Sequence, residues 1–428
     1  MKRFLCVLLL LTITAIGAQQ IMGAELLIKN GTILTVSHGT LEKTDLLVKD
    51  GKIAAIGNNL TGTANALIID AGGKFVMPGI IDPHSHIGVA SWPNLEVTED
   101  LNEATDPITP QLRAEDSFNA ADPAIKRAIA GGVTTIQTIP GSANLIGGQA
   151  LVVKLKPNAT MEEMKFQGAP KGMKMALGEN PKMVYSAQGK MPTTRMGNFA
   201  ALREWFTKGR EYNQKWDKYS ELNKKGKAEK KPERDLRLEA IGEMLKGEFL
   251  IHVHCYTRDE MLTMIAMADE FGFKIASFEH ATEAYKIAET LAKRDISPCV
   301  WVDWWGFKME ALDAIPQGAG ILANKGVRVA FHSDSADQIQ RMNLMAAKAV
   351  RNGMDESKAL EAITINPAYI LGLDKRLGSI EIGKEADIAI FSGHPFNIYS
   401  RVDYTIIDGE IVYDRDKEPT MLGEKNAQ

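Results

Sequence analysis

Cysteine is scarce in this chain: three residues in 428. Cys6 sits in an apolar leader, so only Cys255 and Cys299 lie beyond it, too few for a disulfide framework. Charge of one sign is lacking as well. The net charge is −4, and no basic block is extensive enough to suggest nucleic acid as a partner. The apolar run Phe4 to Ile16 is too short for a comfortable membrane span. Lys2 and Arg3 precede it and Gly17-Ala18-Gln19-Gln20 follow, the pattern of a signal peptide spanning 1–18. Cleavage is expected after Ala18, with Ala24 as the other cleavage point and an uncleaved anchor as the alternative reading. The expectation is an exported protein, periplasmic or secreted, without stable membrane insertion once the leader is removed.

What remains is ordinary globular composition, 45% apolar and 24% charged, which points away from a disordered or fibrous chain. The length suits two or three domains, or one large barrel with an appendage. Residues 24–79 read as short strands and turns. Leu26–Lys29 is a strand, Asn30-Gly31 a tight turn and Thr32–Val36 the return strand; Asp50-Gly51 marks a second hairpin. The same grammar returns at Ala386–Phe391 and in the Val402–Val412 hairpin, which turns at Asp408-Gly409. Neither end can bury a core alone. The two are expected to pair into one small β-sandwich domain, 24–79 plus 372–428.

Between them, residues 80–371 alternate apolar strand-like runs with helical stretches. The runs are Ile80–His86, Val133–Ile139, Ala150–Leu155, Met173–Leu177, Phe249–His254, Lys274–His280, Pro298–Asp303 and Val327–Asp334. Eight such runs separated by helices are the profile of an α/β fold, a parallel (β/α)8 TIM-type barrel. An open doubly wound sheet is the alternative, but no phosphate-binding glycine fingerprint follows the first strand. A helical insertion, 200–247, carries Trp205, Tyr212, Trp216 and Tyr219 on one helix face. It is expected as a solvated hairpin on the barrel's outside, with an active-site lid as the alternative.

Histidine is as informative as cysteine is not. There are only eight, and they gather where apolar runs end. His84 and His86 close the first run one residue apart, so on an extended strand both imidazoles face the same side. His252 and His254 repeat the arrangement at the fifth run, His280 ends the sixth, and His332-Ser333-Asp334 the eighth. Functional residues of such barrels collect at the C-terminal ends of the strands. His84, His86, His254, His280 and Asp334 would therefore meet at one mouth. Nitrogen and oxygen ligands without sulfur suit zinc or another divalent ion with an open position. Of the fifth-strand pair, His254 is favoured as ligand because it lies nearer the mouth, leaving His252 inside the barrel. Cys255 is turned away by alternation.

His84-Ser85-His86 after Pro78-Gly79-Ile80-Ile81-Asp82 resembles the opening motif of the amidohydrolase superfamily. Thr364-Ile365-Asn366-Pro367-Ala368, Leu371-Gly372-Leu373 and Gly378–Asp387 resemble its closing segment. The likeness spans roughly residues 26–413 apart from the insertion, in the style of imidazolonepropionase-like and prolidase-like members. It implies a distorted barrel flanked by a split β-sandwich, with one or two divalent metal ions, most often Zn2+, activating water. Asp334 would take the water's proton and hand it to the leaving nitrogen. His280 would be either a metal ligand or a catalytic group binding substrate or water. Superfamily members often bridge two metals with a carboxylated lysine on the fourth strand, and Lys174 fits that placement. Lys154, Glu179 or no bridge are the rivals.

The expected reaction is cleavage of an amide C–N bond in a dipeptide, an N-acyl amino acid or a cyclic amide. Deaminases and imidazolonepropionases of the superfamily tend to carry Glu three residues after the fifth-strand histidine. Thr257 stands there instead and argues against both, which leaves deamination and a catalytically inactive scaffold as rival readings. Candidate substrate contacts are Arg113, the loops around Asn144 and Gln149, His252, and Trp304 with Trp305. Plain packing beside the seventh strand is the alternative for the tryptophans. The expected partners are a small-molecule substrate and, at most, further copies of the chain.

Overall fold

The computed structural model describes residues 25–227, 230–304 and 306–417. The leader and Trp305 lie outside the described residues. Among those residues no helix is long and apolar enough to cross a membrane.

Eight strands form the barrel, hydrogen-bonded side by side in chain order. They are β1 (Ile80–Ser85), β2 (Val133–Thr138), β3 (Ile146–Lys154), β4 (Lys171–Ala176), β5 (Phe249–Cys255), β6 (Ile275–His280), β7 (Ser297–Val300) and β8 (Ala330–Phe331). Residues of both faces are buried along β1 and β2, the polar Asp82, His84, Ser85 and Gln137 included, as in a sheet covered on both sides. All neighbours are parallel except at β3, which runs antiparallel to both β2 and β4. This departs from the all-parallel expectation, and the reason is chain length. The connection 139–145 holds no helix and is shorter than the dozen or so residues a parallel crossover needs. β3 therefore begins at the mouth, with Ile146 opposite Met175, and ends at the far side, with Lys154 opposite Thr135.

β1 and β8 are the two ends of this sheet, and the seam between them is closed by other bonds. The Asp82 carboxylate accepts from Ser333 N at 3.2 Å and from Ser333 Oγ at 2.5 Å, and Asp334 N donates to the His84 carbonyl at 3.2 Å. Lower down, the carbonyls of Ala362 and Ile363 accept from Phe331 N and Ile81 N.

The two chain ends form one further sheet of eight strands. Phe75–Pro78 pairs antiparallel with Ile388–Phe391 and so joins front to back. Leu26, Ile28, Leu46 and Val48 pack with Ile388, Ile390 and Ile406 in a shared core. Asp50-Gly51 and Asp408-Gly409 turn as read, with φ of 51° and 72°, then 52° and 78°, the left-handed pair that a two-residue hairpin demands. Asn30-Gly31 does not turn. Leu26–Leu34 runs through as a single strand with a bulge at Asn30, φ 59°, whose N–H donates to Asp45.

Arg195–Lys224 and Leu236–Leu245 form the helical insertion. It buries Phe199, Leu202 and Phe206 with Ile241 and Met244 in the barrel's core cluster, while Arg203 pairs with Glu270 on the neighbouring helix. Tyr212, Trp216 and Tyr219 pack ring on ring along the long helix, with centroids 6.1 Å apart at each step.

Lys154 pins barrel to sheet. Its buried ammonium lies 2.6 Å from Glu385 and 2.9 Å from Asp387, and also bonds Asp408. Burial opposes the charge, but the three carboxylates outweigh it and hold the amine above the ordinary lysine range. Lys154→Met would strand buried carboxylates and is expected to cost about 3–5 kcal/mol of stability. Chemical denaturation checks this, and an unchanged midpoint would remove Lys154 from that role. Cys255 and Cys299 are free and buried on strands separated by β6, and burial pushes both thiols well above their usual pKa. Both should resist alkylation in the native protein and react after denaturation; rapid native labelling would contradict their placement.

Candidate metal centre

The centre starts from the end of β1. His84 and His86 share a side, as strand alternation requires, with ring centroids 5.1 Å apart. Each ring has one nitrogen beside an oxygen and the other facing inward. His84 Nδ1 lies 3.1 Å from Glu279 Oε2, and His86 Nδ1–H donates to the Ile139 carbonyl at 2.8 Å. The inward Nε2 atoms lie 3.1 Å and 3.2 Å from the same oxygen of Asp334. Orientation of an imidazole through its far nitrogen is how histidines are prepared for a metal.

β5 and β6 face this group. His254 Nδ1 is 2.8 Å from Ser142 Oγ, while its Nε2 is buried with no partner among the described residues. His280 Nδ1 is likewise buried and unpartnered, and the two rings lie 4.5 Å apart. A buried polar atom without a partner is costly, so these nitrogens call for a ligand outside the protein. His84, His280 and Asp334 each offer a ligand atom within 4.8 Å of the others. His280 and Asp334 have φ of 68° and 55°, the left-handed region that non-glycine residues seldom adopt. Such strain, about 1–3 kcal/mol per residue, persists where surrounding structure imposes it, commonly at functional sites.

The electrostatics agree with a cation site. Burial pushes His254 and His280 well below the usual histidine range, so both are neutral, the form that donates an electron pair. Asp334 is also opposed by burial, but the nearby His280 and the hydrogen bonds from His84 and His86 carry it well below the ordinary carboxylate range. The donor set is nitrogen and oxygen, and Cys255 Sγ points to the Thr257 carbonyl instead. These residues fit a divalent ion such as zinc.

Lys174 is fully buried on β4, with Nζ 3.3 Å from His84 Nε2. Burial lowers its pKa to about 8, with Asp334 and Glu279 working the other way. The rival Lys154 stands at the opposite end of the barrel because β3 is reversed. Glu179 opens the helix Glu179–Ala187 beyond β4, 3.6 Å from Lys308, and its N–H donates to Glu310.

Of the expected substrate contacts, Ser142 in the loop before Asn144 meets His254, and Trp304 reaches the centre through Trp301. The Trp304 ring is 4.8 Å from Trp301, which stacks on His280 at 4.6 Å. His252 lies inside the barrel, where its ring nitrogens meet Ser277 Oγ at 2.7 Å and Gln137 at 3.2 Å. Arg113 lies half-exposed, paired with Asp116 and Glu115. Asn144 bonds the carbonyls of Glu103 and Asp106, and Gln149 that of Pro110. Each of the three is thus already partnered within the chain.

Four residues escaped the sequence reading. Glu279 is buried between His84 and His252, Asp82 stitches the seam, and His332 carries two buried, unpartnered ring nitrogens 5.2 Å in centroid distance from His84. Tyr256 stacks on His280 at 5.0 Å. Ser277 and Glu279, two apart on β6, were the available signal for Glu279, but attention to His280 hid it.

Comparison with known proteins agrees with this geometry. The model of the amidohydrolase family matches residues 313–412. The solved structure of an amidohydrolase from Thermotoga maritima MSB8 is 39% identical, with a TM-score of 0.86 over 91% of this chain and 100% of that one. Amidohydrolase tasK of Hapsidospora irregularis is 33% identical over 405 residues, 90% of this chain. A dihydroorotase from Pelobacter propionicus is 33% identical over 127 residues, 30% of this chain. The chain spans 41% of the length of the first of these two relatives and 24% of the second. With a barrel, a sheet built from both chain ends and a full-length likeness of this degree, the chain belongs to the amidohydrolase superfamily.

Proposed function

We propose that this chain is an exported, metal-dependent amidohydrolase that cleaves an amide C–N bond with water. The observation that carries the reading is the set of inward-facing ligand atoms of His84, His86, His254, His280 and Asp334 beside buried Lys174. The dihydroorotase relative favours amides, cyclic ones included, as the substrate class. Export rests on the leader at residues 1–18.

His84, His86 and Asp334 would hold one ion, and His254 with His280 a second, zinc being the ion that best suits the donors. A divalent ion bound there supplies Lewis acidity, polarising the carbonyl and bringing the pKa of water to about 7. Lys174, once carbamylated, would offer oxygen ligands to such ions. Its neutral amine attacks the carbon of CO2: the N–C bond forms as one C–O π pair moves to oxygen, an N–H proton passes to water, and a carbamate anion replaces the neutral amine. Burial favours that exchange because it lowers the amine's pKa to about 8, so that about a tenth of it is uncharged at pH 7, far more than for a solvated lysine. Asp334, anionic and strained into place, accepts the proton of the attacking water and returns it to the leaving nitrogen. Trp301 and Tyr256 pack against His280 and keep bulk water from the ring. Thr257 caps the helix after β5 and donates to Glu260 at 2.9 Å, so no acid stands where deaminases of the superfamily carry one.

A hydrolysis screen over N-acyl amino acids, dipeptides and cyclic amides with metal supplied tests the reading. Turnover of none of them, with ammonia released from aminopurines instead, would overturn it. Asp334→Asn should fold normally and lower kcat about 10²–10⁴-fold; near-normal turnover in the metallated variant would remove Asp334 from proton transfer. Lys174→Ala should lose one metal and most activity, with partial rescue by added short carboxylic acids. Two tightly bound metals persisting in that variant would sink the bridging assignment.

A further inference from the structure

A second site lies where barrel and sheet domain meet, and none of its residues belongs to the metal centre. The helix Pro123–Ala130, the start of the helix Met342–Arg351 and the last strands of the sheet line a half-open cavity of about 650 Å³, with Lys126, Arg341 and Arg401 exposed at its mouth. That is the size of a small-molecule pocket. Five cations line it, Lys126, Arg127, Arg341, Arg401 and Arg415, and no carboxylate does. Arg127 has Asp337 at 3.5 Å and Arg415 has Asp403 at 3.0 Å, both acids lying outside the lining. Lys126, Arg341 and Arg401 have no ion-pair partner among the described residues. Two further features distinguish the cavity from a solvated basic patch. Its walls are apolar, with Ile129, Phe391 and Val402 buried and Leu344 and Val412 half-buried. It also takes in the N-terminus of the ten-residue helix Met342–Arg351, which no side chain caps and whose dipole adds positive potential. Gly131 holds these parts together, since a Cβ there would lie 2.6 Å from the Gln340 carbonyl oxygen.

We propose that this junction cavity binds a small amphiphilic anion, one carboxylate or phosphate head on an apolar body. The head would sit among Lys126, Arg341 and Arg401 and the helix N-terminus, and the body against Phe391, Val402 and Leu344. Charge-assisted hydrogen bonds from guanidinium groups suit either head, and the apolar wall rejects a bare inorganic ion. Because barrel and sheet both contribute, the occupied cavity would tie the two together and raise the melting temperature.

The test uses the full enzyme with decanoate and decyl phosphate as probes, and decanol and inorganic phosphate as controls, by calorimetry and thermal shift. Both probes should bind one per chain, about tenfold or more tighter than either control, with affinity falling as salt rises. The doubly substituted Arg341→Ala, Arg401→Ala protein should lose that binding about tenfold or more while hydrolysing as before, and Asp334→Asn should retain it. Binding unchanged in the double variant, binding lost in Asp334→Asn, or no saturable binding would overturn the proposal. So would an oligomer, seen by sedimentation, that the double variant dissociates, since a second copy would then cover this face.

Discussion

The metal centre depends on how the barrel closes. β1 and β8 share no ladder, and at the mouth the join is made by one buried carboxylate together with one backbone bond. Asp82 accepts the His84 N–H at 3.2 Å on one side of the seam and the Ser333 N–H and hydroxyl on the other. Burial raises Asp82 to a pKa of about 7, against the hydrogen bonds from Ser333 and His84 that favour its charge. The Asp334 N–H then bonds the His84 carbonyl, and His84 with His86 comes within hydrogen-bond reach of the Asp334 carboxylate. A barrel closed by a regular ladder would have set these residues by pleat alone. Here a side chain sets them, and Asp334 takes a left-handed backbone to arrive.

Opposing charges inside the barrel are balanced pairwise. Glu279, buried, lies against His84 and approaches His252 at 3.6 Å, and Lys174 approaches the other nitrogen of His84. His84 is accordingly pulled both ways: burial and Lys174 lower its pKa, while Asp334 and Glu279 raise it, and the raising side prevails. A carbamate on Lys174 would turn its influence on His84 from lowering to raising, and cations would then take the place of protons as partners of the carboxylates. Lys154 shows the contrasting fate of a buried lysine. Three carboxylates satisfy it as an ammonium, and it serves the junction between domains.

Much of this was legible in the sequence, for identifiable reasons. The strand runs were visible because strands buried on both faces read as unbroken apolar, β-branched segments, and the histidines ending them were visible because histidine is rare in the chain. The two Asp-Gly hairpins were legible because their turn type demands those residues. The direction of β3 was written in the shortness of 139–145, but an eightfold repeat suggested a parallel strand there. Asn30-Gly31 looked like a turn and is a bulge, because the Asp45 carboxylate takes the Asn30 N–H and the strand continues. Arg113, Asn144 and Gln149 looked like substrate contacts because they are polar residues in mouth-side loops. Arg113 is paired with its near neighbours Glu115 and Asp116, and the carbonyls that Asn144 and Gln149 bond lie far off in sequence, where composition does not reveal them. Glu279 and His332 were hidden by their neighbours, each beside a residue that alternation made the more attractive choice.

The most direct test of the account is diffraction from crystals of the zinc-supplied enzyme, with data collected at the zinc absorption edge. The account predicts anomalous peaks among His84, His86 and Asp334 and beside His254 and His280, with density for a carbamate extending from Lys174 Nζ toward both. Crystals with no anomalous peak within reach of these side chains, or with metal bound there beside an unmodified, distant Lys174, would contradict it.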